Sequence, residues 1–280
     1  MTVPSEVSTE SVGLTPQASV AADLDQASAF QRTGNLIDAA AALEKALATA
    51  RVTPYEIEFQ TRIRLGMMLS DVYLVLGKNQ DARDMLADEV AFAERVSQIM
   101  QASGTPPQKR AATSGYLQIR DRATQIALIS QQAPEIHINT WINGGPVRLE
   151  DLRGRVVLLE FWATWCKPCQ EMFPKLKQFH EQAAPHGLEI IAITRHYMAY
   201  GGTAESKQEE LQLMNTTVTN HGVSFAVGVA EDESLQATYG ANGLPTAVLI
   251  DRRGVVRYAG PGGEDPGFER ALWQCLDESE

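Results

Sequence analysis

The sequence predicts two domains, an all-α domain of helical hairpins followed by an α/β domain whose central mixed sheet is flanked by helices. A chain of 280 residues is long enough to form two hydrophobic cores. Residues 21–130 carry apolar side chains at helical spacing, whereas residues 131–280 alternate short apolar strands with helical segments. Residues 1–20 are rich in Ser, Thr, Val and Pro without periodicity, which predicts a disordered tail.

The composition argues against two classes of partner. A formal net charge of −11 is unfavourable for binding nucleic acid, which needs concentrated Lys and Arg, and for adhesion to an anionic membrane. No apolar run reaches the length of a transmembrane helix, so membrane insertion is not expected. The N-terminal segment lacks the basic and apolar regions of a secretory signal, so the chain as written is predicted to be cytoplasmic. A processed or truncated N-terminus would be compatible with the periplasm or cell envelope.

The helical domain contains a pattern that occurs twice. In each copy an alanine and then a leucine follow, at the same spacing, a glycine that we interpret as a turn between helices. The two sets are Gly34, Ala39 and Leu43, and Gly77, Ala82 and Leu86. This pattern resembles the tetratricopeptide repeat, although the glycines are further apart than in that repeat and an unrelated bundle would give a similar pattern. A further helix, at about 107–130, closes the domain.

The α/β domain begins after the segment 131–134, where the apolar period changes from that of a helix to that of a strand. Two short strands at 135–142 and 147–149 flank Asn143-Gly144, a turn signal that predicts a β-hairpin. The next strand, 156–162, is continuously apolar, as expected for a strand that is covered on both faces of its sheet.

The remaining elements alternate strands with helices and end in a hairpin and a helix, which is an α/β arrangement. Helices are predicted at about 167–184, 204–221, 234–239 and 268–276, and strands at 188–194, 225–229, 246–251 and 255–259. A long aromatic segment at 194–202 is interpreted as a surface insertion, with a substrate-facing loop as the alternative.

The chain has three cysteines, too few for a disulfide framework, and Cys166 and Cys169 form a Cys-x-x-Cys pair. Such a pair beside a strand–helix–strand pattern is typical of a redox motif. Cys166 falls where a strand ends and a helix begins, and there the orphan amide N–H groups and the helix dipole favour a thiolate. This placement can lower the pKa of a cysteine from about 8.5 to roughly 3.5–7.5.

The neighbouring positions fit the same chemistry. Cys169 lies one helical turn beyond Cys166, so its thiol can reach the first sulfur and resolve a mixed disulfide formed with a substrate. Pro168 suits the first turn of a helix, where a missing N–H costs little. Lys167 adds a positive charge that we expect to stabilise the thiolate. Cys275, in the predicted last helix, is interpreted as a small buried hydrophobic residue.

Other uses of the cysteine pair have less support. A zinc site would need further ligands, but the chain has no second Cys-x-x-Cys and its five histidines are scattered, so no metal is expected. A c-type haem would need a histidine where the chain has Gln170. A peroxiredoxin-type peroxidase stays open as an alternative, although Thr164 is the only nearby match to its pattern and no proline occurs in 155–165.

The residues around the pair carry a family resemblance. Four segments occur in matching order: 147–154 (VRLEDLRG), 156–169 (VVLLEFWATWCKPC), 239–246 (YGANGLPT) and 251–254 (DRRG). Together they resemble the TlpA/ResA-like thioredoxins of the AhpC/TSA-redoxin superfamily over about residues 133–276. The resemblance implies a thioredoxin fold for the α/β domain, and it does not extend to the helical domain.

The resemblance also implies roles for individual residues. Cys166 would be the attacking thiol and Cys169 the resolving thiol of a redox-active disulfide. Pro245 would follow a cis peptide bond, and the backbone beside it, at Leu244, would pair with a substrate. Glu160 matches the buried carboxylate that thioredoxins place beneath the second cysteine, where burial would raise its pKa and suit it to proton transfer. The alternative for Glu160 is an edge position that faces solvent.

These features predict a thiol–disulfide oxidoreductase that needs no cofactor besides its own dithiol. Trp165, with Lys167 and Pro168, would shield the thiol and contact partners. Those partners would be disulfide-bearing proteins and an upstream thiol reductant, and the helical domain could dock a protein partner. A repeat-based binding protein with a thioredoxin-fold scaffold stays open as an alternative from another functional class.

Overall fold

The computed structural model describes residues 14–199, 201–262 and 265–278. Contacts between Cα atoms divide the chain into two compact units, the first ending at Gly115 and the second beginning at Tyr116.

The first unit is built from helices. Their bounds are α1 Pro16–Arg32, α2 Leu36–Val52, α3 Phe59–Val75 and α4 Asn79–Ser103, followed by the start of α5 Pro106–Leu128. Side-chain caps satisfy orphan N–H groups at two of the helix starts. The hydroxyl of Thr15 accepts the amide N–H of Ala18, and the side-chain oxygen of Asn35 accepts that of Asp38.

The pattern that occurs twice in the sequence corresponds to two helical hairpins. Gly34 lies between α1 and α2, and Gly77 lies between α3 and α4, with φ angles of +75° and +73° that favour glycine. The alanine and leucine that follow each glycine are fully buried: Ala39 and Leu43 in α2, and Ala82 and Leu86 in α4. The residues that the resemblance to the tetratricopeptide repeat singles out are thus buried in the first unit.

The second unit contains the end of α5 and the α/β elements. These are β1 Thr140–Asn143, a 3₁₀ turn Leu149–Leu152, β2 Val156–Phe161, α6 Lys167–Ala183, a 3₁₀ turn Ala184–His186, β3 Leu188–Arg195, α7 Ala204–Asn220, β4 Ala226–Ala230, α8 Ser234–Tyr239, β5 Thr246–Ile250, β6 Val256–Gly260 and α9 Pro266–Asp277. Within the described residues the sheet has the strand order β1-β4-β3-β2-β5-β6. The pairs β2–β3 and β3–β4 are parallel, and the other pairs are antiparallel, so the predicted mixed sheet is confirmed.

Strand β2 lies inside the sheet, and its alternating side chains contribute to two hydrophobic cores. Val156 and Leu158 pack on one face with residues of α6 and α9, such as Phe173. Val157 and Leu159 pack on the opposite face with residues of α8 and the first 3₁₀ turn. Burial on both faces explains why this strand is continuously apolar in the sequence.

The predicted hairpin around Asn143-Gly144 is wrong. Strand β1 pairs with β4 in antiparallel register, Thr140 opposite Val229, and the segment 147–149 is not a strand. The Asn side chain supports this pairing, since Asn143 donates hydrogen bonds to the carbonyl oxygens of Val223 and Phe225. A pairing with a strand far away in sequence therefore replaces the local one that the turn signal predicts.

Two other boundaries differ from the sequence prediction. Most of the predicted tail, residues 1–13, lies outside the described residues, but α1 begins at Pro16 because Thr15 caps it and proline suits the first helical turn. The division between units falls inside α5, whereas the sequence placed a boundary at residue 131, after that helix. The boundary at 131 stays a prediction about where an independently stable domain begins.

The end of α5 is bound to the second unit through buried polar side chains. The side-chain amide of Gln125 donates to the carbonyl oxygen of Gly240 at 2.7 Å, and the guanidinium of Arg122 donates to that of Ala259 at 3.2 Å. Removing these donors would leave buried carbonyl groups without partners, at a cost of about 1–3 kcal/mol each.

We therefore predict that a fragment 131–280 is less stable than a fragment 116–280, with a Tm lower by at least about 5 °C. Calorimetry or circular dichroism on the two purified fragments measures the difference. Equal melting temperatures would show that the end of α5 adds nothing to the stability of the second unit.

Candidate active site

The strand register brings three segments of the second unit to the same end of the sheet, where β2 and β3 finish and β5 begins. Phe161, the last residue of β2, lies opposite Ile193 in the parallel strand β3 and opposite Thr246 in the antiparallel strand β5. The segment after β2, the segment after β3 and the segment before β5 therefore lie at this end of the sheet. They contain the cysteine pair, the aromatic loop 196–199 and the loop 240–245.

The cysteine pair lies where β2 gives way to α6. Cys166 is the N-cap residue of α6 and forms a disulfide with Cys169, their Cα atoms 5.3 Å apart. The amide N–H of Cys169 points at the Cys166 sulfur, with N and Sγ 3.3 Å apart. Pro168 occupies the first turn, where no backbone donor is required. A negative charge on the Cys166 sulfur would therefore be stabilised by an amide donor and by the positive end of the helix dipole.

Both cysteines are buried. Trp165, which precedes Cys166 in the chain, is 59% exposed to solvent. Lys167 is also exposed, and its ammonium lies 3.6 Å from a carboxylate oxygen of Glu171. Because that carboxylate balances part of the charge, Lys167 contributes less to the potential at Cys166 than the sequence suggests.

Glu160 lies in an interior strand rather than at an edge, and it is 1% exposed. Its neighbours in register are alanines, Ala192 in β3 and Ala247 in β5. Because side chains alternate along a strand, Glu160 points to the same face as Leu158, which packs in the core that contains both cysteines. The carboxyl group thus lies on the cysteine side of the sheet, between two small residues.

The carboxyl group of Glu160 has no hydrogen-bond partner among the described residues. Burial therefore raises its pKa well above the ordinary value of 4.5, because the charged form is desolvated without compensation. At neutral pH such a group can hold a proton that an exposed glutamate would have lost.

The loop before β5 contains a cis peptide bond between Leu244 and Pro245. Leu244 is partly buried and packs against the cores on both faces of the sheet. The hydroxyl of Thr246 donates to the carbonyl oxygen of Gly243 at 2.6 Å, which closes the loop across the proline. The backbone around Pro245 is thus held at the same end of the sheet as Cys166.

The aromatic loop after β3 contacts the cysteine motif. The sequence analysis favours a surface insertion here and gives a substrate-facing loop as the alternative. The ring of Tyr197 packs edge-to-face on that of Trp165, with centroids 5.4 Å apart. The guanidinium carbon of Arg195 lies 4.2 Å from the Tyr197 ring centroid, within the range of a cation–π interaction. Met198, next in the loop, is 63% exposed. The segment therefore packs against the cysteine motif through Tyr197 and keeps Met198 at the surface.

Glu210 in α7 holds this loop, and sequence reasoning missed it. Its carboxylate accepts the amide N–H groups of Tyr197, Met198 and Ala199 at 2.8–3.0 Å. These backbone hydrogen bonds lower its pKa despite the opposing effect of burial. A signal was available, because Glu210 shares its helical face with the buried residue Met214 and a carboxylate on an apolar face needs partners.

Other groups in the second unit do not extend the site. Cys275 is buried and unpaired, and burial raises the pKa of its thiol to about 11, which opposes reactivity. Over the described part of the chain, no cluster of three or more His, Cys, Asp or Glu has the arrangement of a metal site. In the same residues no helix is long and apolar enough to cross a membrane.

Comparisons with known proteins agree with this geometry. Residues 129–259 match the AhpC/TSA family. Thiol-disulfide oxidoreductase ResA of Bacillus thuringiensis (strain Al Hakam) is 32% identical over 128 residues, which are 46% of this chain and 66% of ResA. The protein of the same name from Bacillus subtilis (strain 168) is 33% identical over 114 residues, covering 41% of this chain and 57% of that protein.

A solved structure of a thiol-disulfide isomerase from Corynebacterium glutamicum is 22% identical, covers 52% of this chain and 98% of its own, and has a TM-score of 0.45. The chain spans slightly less than two thirds of the length of the curated relatives named above. The second unit is a thioredoxin-fold domain with a Cys-x-x-Cys disulfide; its residues 129–259 match the AhpC/TSA family, and it is similar to the ResA thiol-disulfide oxidoreductases.

Proposed function

We propose that the protein is a thiol–disulfide oxidoreductase that reduces or exchanges disulfides of protein partners. The observation that carries the proposal is the Cys166–Cys169 disulfide, whose first cysteine is the N-cap residue of helix α6. The names of the ResA relatives support the same activity. The group that reacts is the dithiol itself, and an upstream thiol reductant regenerates it.

In the reducing direction, the Cys166 thiolate attacks one sulfur of the partner's disulfide, forms a mixed disulfide and releases a partner thiolate. The Cys169 thiol then loses its proton and attacks the Cys166 sulfur. This second step forms the intramolecular disulfide and releases the partner's other thiolate, so two electrons pass from the dithiol to the partner. The oxidised product of that sequence is the state that this structure contains.

Glu160 is proposed to accept the proton of Cys169. Its side chain lies on the cysteine face of the sheet, flanked by alanines that leave room beside the carboxyl group. A raised pKa makes a carboxylate a stronger base, so desolvation suits Glu160 to exchange a proton with a thiol at neutral pH.

The partner-binding surface is proposed to combine the loop at Leu244–Pro245 with an aromatic rim formed by Trp165 and Tyr197. Leu244 and Pro245 are only partly buried, and backbone groups of this loop are proposed to pair with an extended segment of a partner. The rim offers apolar area next to the sulfur, because Trp165 is largely exposed. Pro168 and Lys167 flank the attacking sulfur and complete this surface, and the helical unit is proposed to dock a protein partner.

Substitution of the cysteines tests the activity directly. We predict that Cys166→Ser reduces insulin reduction to the uncatalysed rate, because no thiolate remains to attack. Cys169→Ser should instead accumulate a mixed disulfide with the substrate, detectable by mass spectrometry, since the resolving thiol is missing. The matched control, Cys275→Ser, should keep the wild-type rate because that thiol is buried and burial raises its pKa to about 11.

Residual catalysis in Cys166→Ser would contradict the proposal. A reaction of the wild-type protein with hydrogen peroxide that is far faster than that of a free thiol, with no reduction of insulin, would favour the peroxiredoxin-type alternative.

Substitution of the buried carboxyl tests the proton-transfer role. Glu160→Gln should slow insulin reduction by about 10²-fold near neutral pH, since the base is lost.

The same change should stabilise the fold in a pH-dependent way. Below about 4.5 Glu160 is protonated in both folded and unfolded chains, so burial carries no ionisation penalty there. As the pH rises from 4.5 to the raised pKa, only the unfolded chain ionises, so the wild type loses stability relative to the variant.

Thermal melts between pH 4 and pH 8 check this second effect, with the exposed Glu171→Gln as the control that should show no such trend. A Tm difference between Glu160→Gln and wild type that stays constant with pH, together with an unchanged rate, would exclude Glu160 as the proton acceptor.

A further inference from the structure

One carboxylate from helix α5 holds the loop that leads to the cis peptide. Asp121 accepts the backbone N–H of Asn242 at 3.1 Å and that of Gly243 at 3.2 Å through the same oxygen, Oδ2. Its other oxygen, Oδ1, accepts the side-chain amide of Asn242 at 2.9 Å. Three donors of one short loop therefore converge on a single side chain.

The carboxylate and the loop stabilise each other. Asp121 is 6% exposed, and a buried carboxylate is costly unless hydrogen bonds replace the lost water. The loop amides provide those bonds, and bonds from N–H groups to an ionised carboxylate are stronger than bonds between neutral groups. Arg120 contributes a weaker ion pair at 3.7 Å. Removing the carboxylate would thus leave two backbone N–H groups of the loop without their acceptor.

A close approach of backbones reinforces this contact. Gly240 has a φ of +61°, and a Cβ atom built on it would lie only 2.4 Å from the carbonyl oxygen of Asp121. The side-chain amide of Gln125, one turn along α5, donates to the carbonyl oxygen of Gly240 at 2.7 Å. The loop therefore contacts α5 at its start through Gly240 and at its end through Gly243.

The held residues adjoin the proposed substrate-pairing position. The N–H of Gly243 is bound by Asp121, and its carbonyl oxygen accepts the hydroxyl of Thr246. The peptide units on both sides of Gly243 are thereby fixed, and the next peptide bond is the cis bond between Leu244 and Pro245. The orientation of the backbone at Leu244 thus depends on a helix far away in sequence.

We propose that Asp121 is a positioning residue for disulfide exchange, which orients the backbone at Leu244–Pro245 for pairing with a polypeptide partner. The inference rests on the proposed function and deepens it. Asp121 lies before the segment 129–259 that matches the AhpC/TSA family, so the family match does not supply this residue. Helix α5 would then contribute to partner binding although it carries no reacting group.

Asp251 offers a matched control at the other end of strand β5. It is also a buried aspartate, and its carboxylate also accepts two backbone N–H groups of a loop, those of Arg253 and Val255, each at 2.9 Å. It lies just after β5, whereas Pro245 lies just before that strand. Loss of Asp251 removes similar bonds at the opposite end of β5.

The test compares full-length Asp121→Ala, Asp121→Asn and Asp251→Ala with wild type. For Asp121→Ala we expect the KM for insulin to rise about tenfold, equivalent to losing about 1.4 kcal/mol of binding. The rate with a small aromatic disulfide, which has no backbone to pair, should change far less. Asp121→Asn keeps one acceptor oxygen and should restore part of the insulin KM. Asp251→Ala should lower Tm without raising that KM.

Amide hydrogen exchange on the same proteins gives a readout that needs no substrate. Exchange at Asn242 and Gly243 should accelerate at least about tenfold in Asp121→Ala and not in Asp251→Ala. An unchanged insulin KM, an equal KM rise in Asp251→Ala, or unaltered exchange at these two amides would overturn the positioning role. A wild-type protein that reduces neither disulfide would instead refute the proposed function itself, whatever the exchange measurement shows.

Discussion

The interaction on which the site depends is the hydrogen bond from the amide of Cys169 to the sulfur of Cys166 at the start of α6. It exists because β2 ends at Phe161 and the chain turns into a helix whose first free N–H groups face back towards the N-cap residue. The first turn of the same helix places Cys169 within reach of the Cys166 sulfur. Strand, helix start and cysteine spacing together support the proposed roles of Cys166 as the attacking thiol and Cys169 as the resolving thiol.

Buried carboxyl groups serve the site in two opposite ways. Glu160 has no hydrogen-bond partner in the described structure, and burial raises its pKa, which suits a group that exchanges protons. Glu210 accepts three backbone N–H groups, which lower its pKa and keep it charged. Asp121 has the same kind of coordination on the neighbouring loop. The surroundings of each carboxyl group, rather than its residue type, thus separate the proposed proton carrier from groups that hold loops in place.

Local patterns predicted most of the fold and placed the cysteine pair at the start of a helix. The apolar run of β2, the cysteine spacing and the alternation of strands and helices each depend on neighbours in sequence, and all were found. The Asn143-Gly144 turn signal misled because β1 pairs with β4, a contact between distant segments that local propensity does not encode. The parts of the site contributed by Glu210 and Asp121 were missed for the same reason, since their acceptor role becomes visible only when the helices pack against their loops.

The start of helix α6 is proposed to activate Cys166. The pH dependence of thiol alkylation in the reduced, full-length protein tests this activation. Iodoacetamide labelling followed by mass spectrometry reports each cysteine separately. We expect Cys166 to react first, with a midpoint at or below about pH 7.5, under the value of about 8.5 for a free cysteine. Cys275, whose thiol pKa burial raises to about 11, is the internal control that should stay unlabelled over this range. A Cys166 midpoint at or above about 8.5, or faster labelling of Cys169, would contradict the account.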